Sequence, residues 1–164
     1  MEILLYSNIT NTLLSRFINQ IKGATGPLDI RINSQGGDVV AGMGIYQAIR
    51  NYSDKTHIHI DGMAGSMASV IAMAGDEITI SPVGSVMVHN PLISISGNKD
   101  QLEGWAERLG KFQNNLVSIY QARTGLMAMQ VQELMDRETV LSATEAVQFG
   151  FADNIGQPLK AVAY

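Results

Sequence analysis

A serine surrounded by small residues is the first candidate for chemistry in this chain. Ser66 lies in the stretch DGMAGSMASVIAMAGDE (61–77), where an alternating apolar pattern ends and a helical pattern begins. A serine on a tight strand-to-helix turn exposes its hydroxyl, and the amide of the next residue, Met67, joins the unpaired donors of a helix N-terminus. Ser69 is a rival nucleophile, but we expect it to be packed or to cap the helix. The pattern therefore favours Ser66.

Two further strand ends carry groups that would complement a nucleophilic serine. The segment INSQGGD ends in a glycine pair that lets backbone amides approach a substrate closely. The segment SVMVHNP places His89 at the end of a strand, ahead of a proline that stops it. A serine, an imidazole base and two amides that hold an oxyanion are the components of acyl transfer. Each motif alone is typical of a turn, a cap or a surface histidine, so the prediction rests on their joint occurrence.

The elements that must position these residues follow from the apolar periodicity. Alternation predicts strands in the segments EILLYS, LDIRIN, THIHID, EITI and SVMVH. Helical spacing predicts helices at about 10–23, 39–52, 66–74, 98–124 and 129–135, and a last one that begins with a capping box at Ser142 and Glu145 and stops at Gly150. Asp38 is expected to cap the second helix. Strands that alternate with helices predict one α/β domain over residues 1–164, with parallel strand pairs.

Composition and charge exclude several classes of function. The chain has 164 residues, of which 46% are hydrophobic, and its net charge is −4. This charge argues against nucleic acid or an anionic membrane as a partner. The chain has no cysteine, which excludes disulfides, thiolate metal sites and a thiol nucleophile. It also lacks a long apolar run and a basic leader, so we predict a soluble cytoplasmic protein.

Four segments resemble, in order and spacing, the proteolytic subunit of the Clp protease: RINSQGGDVVAGMGIYQAIR, DGMAGSMASVIAMAGDE, VMVHNP and LSATEAVQFGFAD. The resemblance covers roughly residues 28–155. Within that family, the sequence looks most like the ClpP-related head maturation proteases of phages and prophages. The resemblance implies a serine endopeptidase with the crotonase-like ββα superhelix fold, a single domain from which a handle helix protrudes at roughly 98–124.

The resemblance also implies a role for each candidate residue. Ser66 matches the nucleophile and His89 the general base, while Gly37 and Met67 match the amides of the oxyanion hole. The third member of the triad departs from the family pattern, in which an aspartate is expected. Glu138 stands at the aligned place, and Asp136 is the fallback. Glutamate orients the histidine in some other serine hydrolases.

Assembly and partners are likewise implied by the resemblance. It implies a homo-oligomeric ring of about six or seven subunits with closed symmetry, alone or stacked in two through the handle helix. The long helix with Trp105 and Phe112, and the methionine-rich segment 127–135, are the expected contact surfaces. The chain lacks a GxxxxGK[ST] motif, so it binds no cofactor and ATP enters only through an AAA+ unfoldase partner. Phage capsid or scaffold proteins are the alternative partners, as substrates.

Other functions stay open beside the peptidase. A catalytically silent ring or scaffold subunit is the main alternative, because Glu138 departs from the family pattern. An acyl-CoA enzyme on the same superhelix and a Ser–Lys dyad peptidase fit less well. His57 and His59 share one face of a strand and could bind a metal ion. No carboxylate or cysteine lies at suitable spacing, so we expect a solvent- or interface-facing pair and no metal.

Overall fold

The structure, a computed structural model, describes residues 1–157, and the last seven residues of the expected domain lie outside this range. Within it, strands and helices alternate along the chain. The strands are β1 (Glu2–Leu5), β2 (Leu28–Ser34), β3 (Thr56–Gly65), β4 (Glu77–Ile80), β5 (Ser85–Met87), β6 (Val140–Ser142) and β7 (Asn154–Ile155). The helices are α1 (Asn11–Ile21), α2 (Val39–Arg50), α3 (Met67–Ala72), α4 (Lys99–Thr124), α5 (Ala128–Asp136) and α6 (Ala143–Gln148).

The strands form one sheet, in which β1, β2, β3, β4 and β7 are neighbours and run parallel. The long strand β3 pairs with β4 along its first half and with β5 along its second half. The predicted α/β class with parallel pairs is therefore confirmed. One pair differs, because β6 runs antiparallel to β5. Strands β6 and β7 were not predicted, since three and two residues are too short to show a period.

The core lies on one face of the sheet. Alternate residues of the two central strands are fully buried there: Ile30, Ile32, Ile58 and Ile60. Helices α1, α2 and α3 pack next to one another and contribute buried residues such as Phe17 and Ile45. The period of two along each strand places the intervening polar residues on the opposite face.

The predicted handle helix is present as α4 and ends at Gly125, whose φ of 75° lies in the left-handed region. Only part of this helix contributes to the core. The buried residues of α4 belong to its C-terminal part: Leu116, Val117 and Tyr120. Nearer its start, Trp105 is 37% exposed. Among the described residues, no helix combines the length and apolar character needed to span a membrane.

The helix caps agree with those predicted from the sequence, but the start of α3 differs from its prediction. Asp38 caps α2, accepting a hydrogen bond from the amide of Ala41 at 2.7 Å. Ser142 and Glu145 form the predicted capping box of α6. The third helix is shorter than the expected 66–74, because β3 continues to Gly65 and the turn itself occupies Ser66.

Candidate active site

Ser66 occupies a strained turn between β3 and α3. Its φ of 52° and ψ of −124° lie outside the regions that L-residues ordinarily adopt. The amide of Ser66 donates to the carbonyl of Met87 at 2.8 Å, which ties the turn to the end of β5. Its carbonyl accepts from the amide of Ser69 at 3.0 Å. Strain of this kind persists only where surrounding contacts impose it, and it is concentrated at functional sites.

The first glycine of SQGGD is required by this turn. Gly36 has a φ of 104°, and a Cβ built there would lie 2.6 Å from the carbonyl oxygen of Gly65 and 2.7 Å from the Cβ of Ser66. Atoms cannot approach so closely, so only glycine fits against the turn. The loop after β2 is therefore packed directly onto the candidate nucleophile.

His89 lies in contact with Ser66. Its Nε2 is 2.7 Å from the Ser66 Oγ, and both residues are partly exposed. The sheet creates this contact, since Gly65 at the end of β3 pairs with Met87 at the end of β5. Ser66 is the first residue after β3 and His89 the second after β5, so the hydroxyl and the imidazole lie together at these strand ends.

The two amides predicted for an oxyanion hole are free to bind a ligand. Met67 is the first residue of α3, where the amide has no intrahelical acceptor. Gly37 forms a bridge with Ile9 in which the carbonyl of Gly36 and the amide of Asp38 make the hydrogen bonds, at 2.9 Å each. The amide of Gly37 takes no part in that bridge. Neither Met67 nor Gly37 donates its amide to an acceptor within residues 1–157.

Asp136, the fallback third member, is engaged away from His89. Its Oδ1 accepts from the side-chain amides of Asn90 at 2.8 Å and Gln132 at 2.6 Å. These two donors hold the pKa of the exposed Asp136 carboxyl below its ordinary value. The Asp136 carboxylate is therefore already engaged in two hydrogen bonds with side-chain amides.

Glu138 lies two residues before β6, the strand that pairs with β5. The amide of Val88 donates to the carbonyl of Thr139 at 3.0 Å, which continues the β5–β6 register in which Met87 pairs with Val140. Continued by one more step, this register would pair Glu138 with His89. Glu138 also has a φ of 49°, the only other positive value besides that of Ser66 among the non-glycine residues described. Its exposed carboxylate makes no hydrogen bond or ion pair within the described part of the chain.

An apolar groove of about 360 Å³ lies beside the Gly37 amide. One wall is the start of α2, and the other is α4, through side chains that include Trp105 and Phe112. The segment Pro91–Ile93, which follows His89, completes the lining. Aromatic residues that were expected to face a partner subunit therefore also face the candidate site.

A buried network behind the turn was missed by sequence reasoning. Ser69 is completely buried, as expected for a packed residue, and its hydroxyl donates to the carbonyl of Ser66 at 2.6 Å. Because a carbonyl only accepts, the hydroxyl of Tyr120 must donate to Ser69 Oγ, at 2.7 Å. Burial raises the pKa of Tyr120, so it stays a neutral phenol. The handle helix thereby supports the backbone of the candidate nucleophile.

The two remaining histidines do have a carboxylate beside them. Asp29, on the neighbouring strand β2, forms a cluster with His57 and His59. The expectation that no carboxylate is available for this pair was wrong, because it considered spacing along the chain and not across the sheet. Burial, and then the neighbouring His59, lower the pKa of His57.

This arrangement is typical of serine hydrolases. It combines an α/β sheet, a strained turn that holds a serine, a histidine in contact with that serine, and free backbone amides next to it. A family model described as Clp protease matches residues 1–158 of this chain. The chain therefore belongs to the Clp protease family, a family of ClpP-like peptidases, as the resemblance of its four segments predicted. The particular likeness to phage head maturation proteases stays a prediction.

Proposed function

We propose that this protein is a serine endopeptidase that hydrolyses peptide bonds with Ser66 as nucleophile and His89 as general base. The observation that carries this proposal is the 2.7 Å contact between the Ser66 Oγ and the His89 Nε2 at a strained strand-to-helix turn. A silent ring subunit has no need of this strain or of this contact.

The proposed reaction is acyl transfer in two halves. His89 Nε2 takes the proton of Ser66 Oγ as the oxygen attacks the peptide carbonyl, and the amides of Gly37 and Met67 bind the oxyanion that forms. The imidazolium then gives its proton to the leaving amine, which departs. Water, activated by the same imidazole, hydrolyses the acyl-enzyme and restores the Ser66 hydroxyl.

We assign the third role to Glu138 ahead of Asp136. Glu138 would pair with His89 if the β5–β6 register continued two residues beyond Met87 and Val140, while the Asp136 carboxylate already accepts hydrogen bonds from Asn90 and Gln132. The exposed Glu138 carboxylate has no hydrogen-bond partner in the described part of the chain, whereas Asp136 would first have to give up two hydrogen bonds.

The apolar groove supports a preference for apolar substrate side chains. It begins at the Gly37 amide, where the scissile carbonyl oxygen would bind, and its walls include Trp105 and Phe112. A peptide whose carbonyl lies at Gly37 would place an apolar side chain in this groove. We therefore expect cleavage next to large apolar residues.

We further propose that the enzyme acts as a closed homo-oligomer, a ring of about six or seven subunits with cyclic symmetry, in the cytoplasm of a bacterium or of an infected cell. In one role it is the proteolytic subunit of an ATP-dependent Clp-type protease, fed by an AAA+ unfoldase. In the other it matures phage heads by cleaving capsid or scaffold proteins. ATP-dependent degradation of a folded protein when an unfoldase is added would select the first role.

Labelling with a fluorophosphonate followed by peptide mapping tests the activity. We expect a single adduct on Ser66 and none in Ser66→Ala, which should also lose cleavage of a fluorogenic peptide. Ser53→Ala is the matched control, since it removes an exposed hydroxyl from the loop before β3 and should still be labelled. No adduct in the assembled wild-type protein would favour the silent subunit, and an adduct in Ser66→Ala would move the nucleophile elsewhere.

A further inference from the structure

A second cluster of functional groups lies on the polar face of the sheet, away from the serine. Asp29 is in β2 and His57 is its register partner in β3, with His59 two residues further along the same face. The neighbours Ile58 and Ile60 point into the core, so alternation holds both imidazoles on the opposite face. The sheet thus places one carboxylate beside two imidazoles.

The distances within this cluster suit a metal ion. The Asp29 Oδ1 lies 3.2 Å from His59 Nε2 and 3.8 Å from His57 Nδ1. One ligand atom from each of the three residues lies within 4.8 Å of the other two. Bonds of about 2.0–2.2 Å to a zinc ion require ligand atoms that are themselves about 3–3.5 Å apart. Small side-chain adjustments would therefore bring all three atoms onto one ion.

The orientation of one imidazole is already set by a third strand. The His57 Nε2 is 2.9 Å from the Thr79 hydroxyl on β4. If that nitrogen carries the proton and donates to Thr79, the lone pair of Nδ1 faces Asp29. Metal-binding histidines characteristically use their second nitrogen in this way, and the bond fixes the tautomer and the ring.

The cluster is open to solvent, and the guanidinium that lines the same depression is paired with a carboxylate. The His57 and His59 side chains are 31% and 23% exposed, and they border a depression of about 260 Å³. The nearest guanidinium, that of Arg31, is paired with Asp61 and lies 3.9 Å from Glu2. An ion could therefore enter and keep water on its remaining coordination positions.

We propose that Asp29, His57 and His59 form a binding site for a divalent transition-metal ion, with Zn²⁺ as the ion that two imidazoles and a carboxylate fit best. Ser66 lies seven residue steps beyond His59, roughly 23 Å at the rise of a strand, so the ion takes no part in peptide hydrolysis. It would cross-link β2 to β3 and stabilise the sheet. This site is independent of the proposed peptidase activity.

Calorimetric titration of the tag-free full chain with Zn²⁺ tests the site. The chain contains three histidines and no cysteine, so few other sites could compete. We expect one ion per chain, and a rise in the Tm of the wild-type protein on adding Zn²⁺. Asp29→Asn and His59→Asn should each weaken binding by at least about tenfold, the loss seen when even an outer-shell partner of a metal ligand is removed.

Two variants outside the cluster serve as controls. Glu77 lies on β4 and is the register partner of His57 on the side away from β2. Glu77→Gln removes its carboxylate and should change the affinity for Zn²⁺ far less than Asp29→Asn does. His89→Ala removes the remaining histidine and should bind as the wild type does. Circular dichroism confirms that each variant is folded. Three results would each overturn the proposal. They are no Zn²⁺ binding by the wild type, equal losses of affinity in Asp29→Asn and Glu77→Gln, and a loss of affinity in His89→Ala.

Discussion

At the scale of single residues, the candidate site depends on a contact between residues 23 positions apart in the chain. Ser66 is held by the carbonyl of Met87 and by the side chain of Ser69, while His89 follows the strand that contains Met87. Both members of the pair are therefore anchored to the same strand end. Their relative position is a property of the backbone and not of flexible side chains.

The third residue of the proposed triad can be identified by comparing two conservative variants. Glu138→Gln should lower kcat by about 10²–10⁴-fold, the usual contribution of general acid–base catalysis, because an amide cannot stabilise the imidazolium of His89. Asp136→Asn should be mild, since Asp136 contacts only Asn90 and Gln132. Steady-state kinetics on a fluorogenic peptide measures both.

The ranking of these two variants is the decisive result. A large loss in Asp136→Asn with little change in Glu138→Gln would transfer the role to Asp136. Wild-type kcat in both would mean that Ser66 and His89 work as a dyad.

At the scale of elements, the loop after β2 and the turn after β3 form one unit. Gly36 fits against Gly65 and Ser66 without room for a side chain, and the next residue, Gly37, contributes a free amide. A shift of the loop would therefore displace the nucleophile and the oxyanion-binding amide together.

Gly36→Ala should inactivate the enzyme without removing any reactive group. The new Cβ would lie within 3.0 Å of Gly65, Ser66 and Met67 atoms, and the φ of 104° is itself unfavourable for alanine. We expect kcat to fall by at least about 10²-fold, comparable to the loss of one oxyanion-hole donor. Peptide cleavage and circular dichroism together separate a displaced site from an unfolded chain.

Gly104→Ala is the matched control. A Cβ at Gly104 meets nothing within 4 Å, and alanine favours a helix more than glycine does. This variant should keep wild-type cleavage. Full activity in Gly36→Ala would show that the loop and the turn move independently.

At the scale of the whole molecule, the chain exposes more apolar surface than a monomer needs. Exposed apolar residues include Leu92 and Ile93 in the loop after His89, Leu102 and Trp105 in the first half of α4, and Met129 at the start of α5. Large exposed apolar patches mark interaction sites. This surface supports the proposed oligomer.

Analytical ultracentrifugation at micromolar concentration tests assembly. We expect a single closed oligomer whose mass is a whole-number multiple of the 17.7 kDa mass of the chain. Trp105→Glu should lower the oligomer mass or the peptidase activity while the chain stays folded, because Trp105 is 37% exposed and lines the groove. Glu103→Gln, a change on the exposed surface of the same helix, should assemble normally. A single species of monomer mass with full peptidase activity would contradict the prediction.

Local patterns were enough to predict much of this protein. The turn at Ser66, the glycine pair and the strand that ends at His89 each have a signature within a few residues, since turns, caps and period-two strands are local structures. The α/β class and the bounds of the handle helix followed for the same reason. The resemblance in motifs then identified the family.

Only the tertiary structure decided which distant groups meet. The pairing of β2 with β3 brings Asp29 to His57 and His59, and the packing of α4 brings Tyr120 to Ser69. Strand register and helix packing join residues separated by tens of positions, and no local period encodes which residue faces which. The sequence therefore determined the candidate chemistry at Ser66, whereas the cluster of Asp29, His57 and His59 and the support behind the nucleophile appeared only when the sheet was assembled.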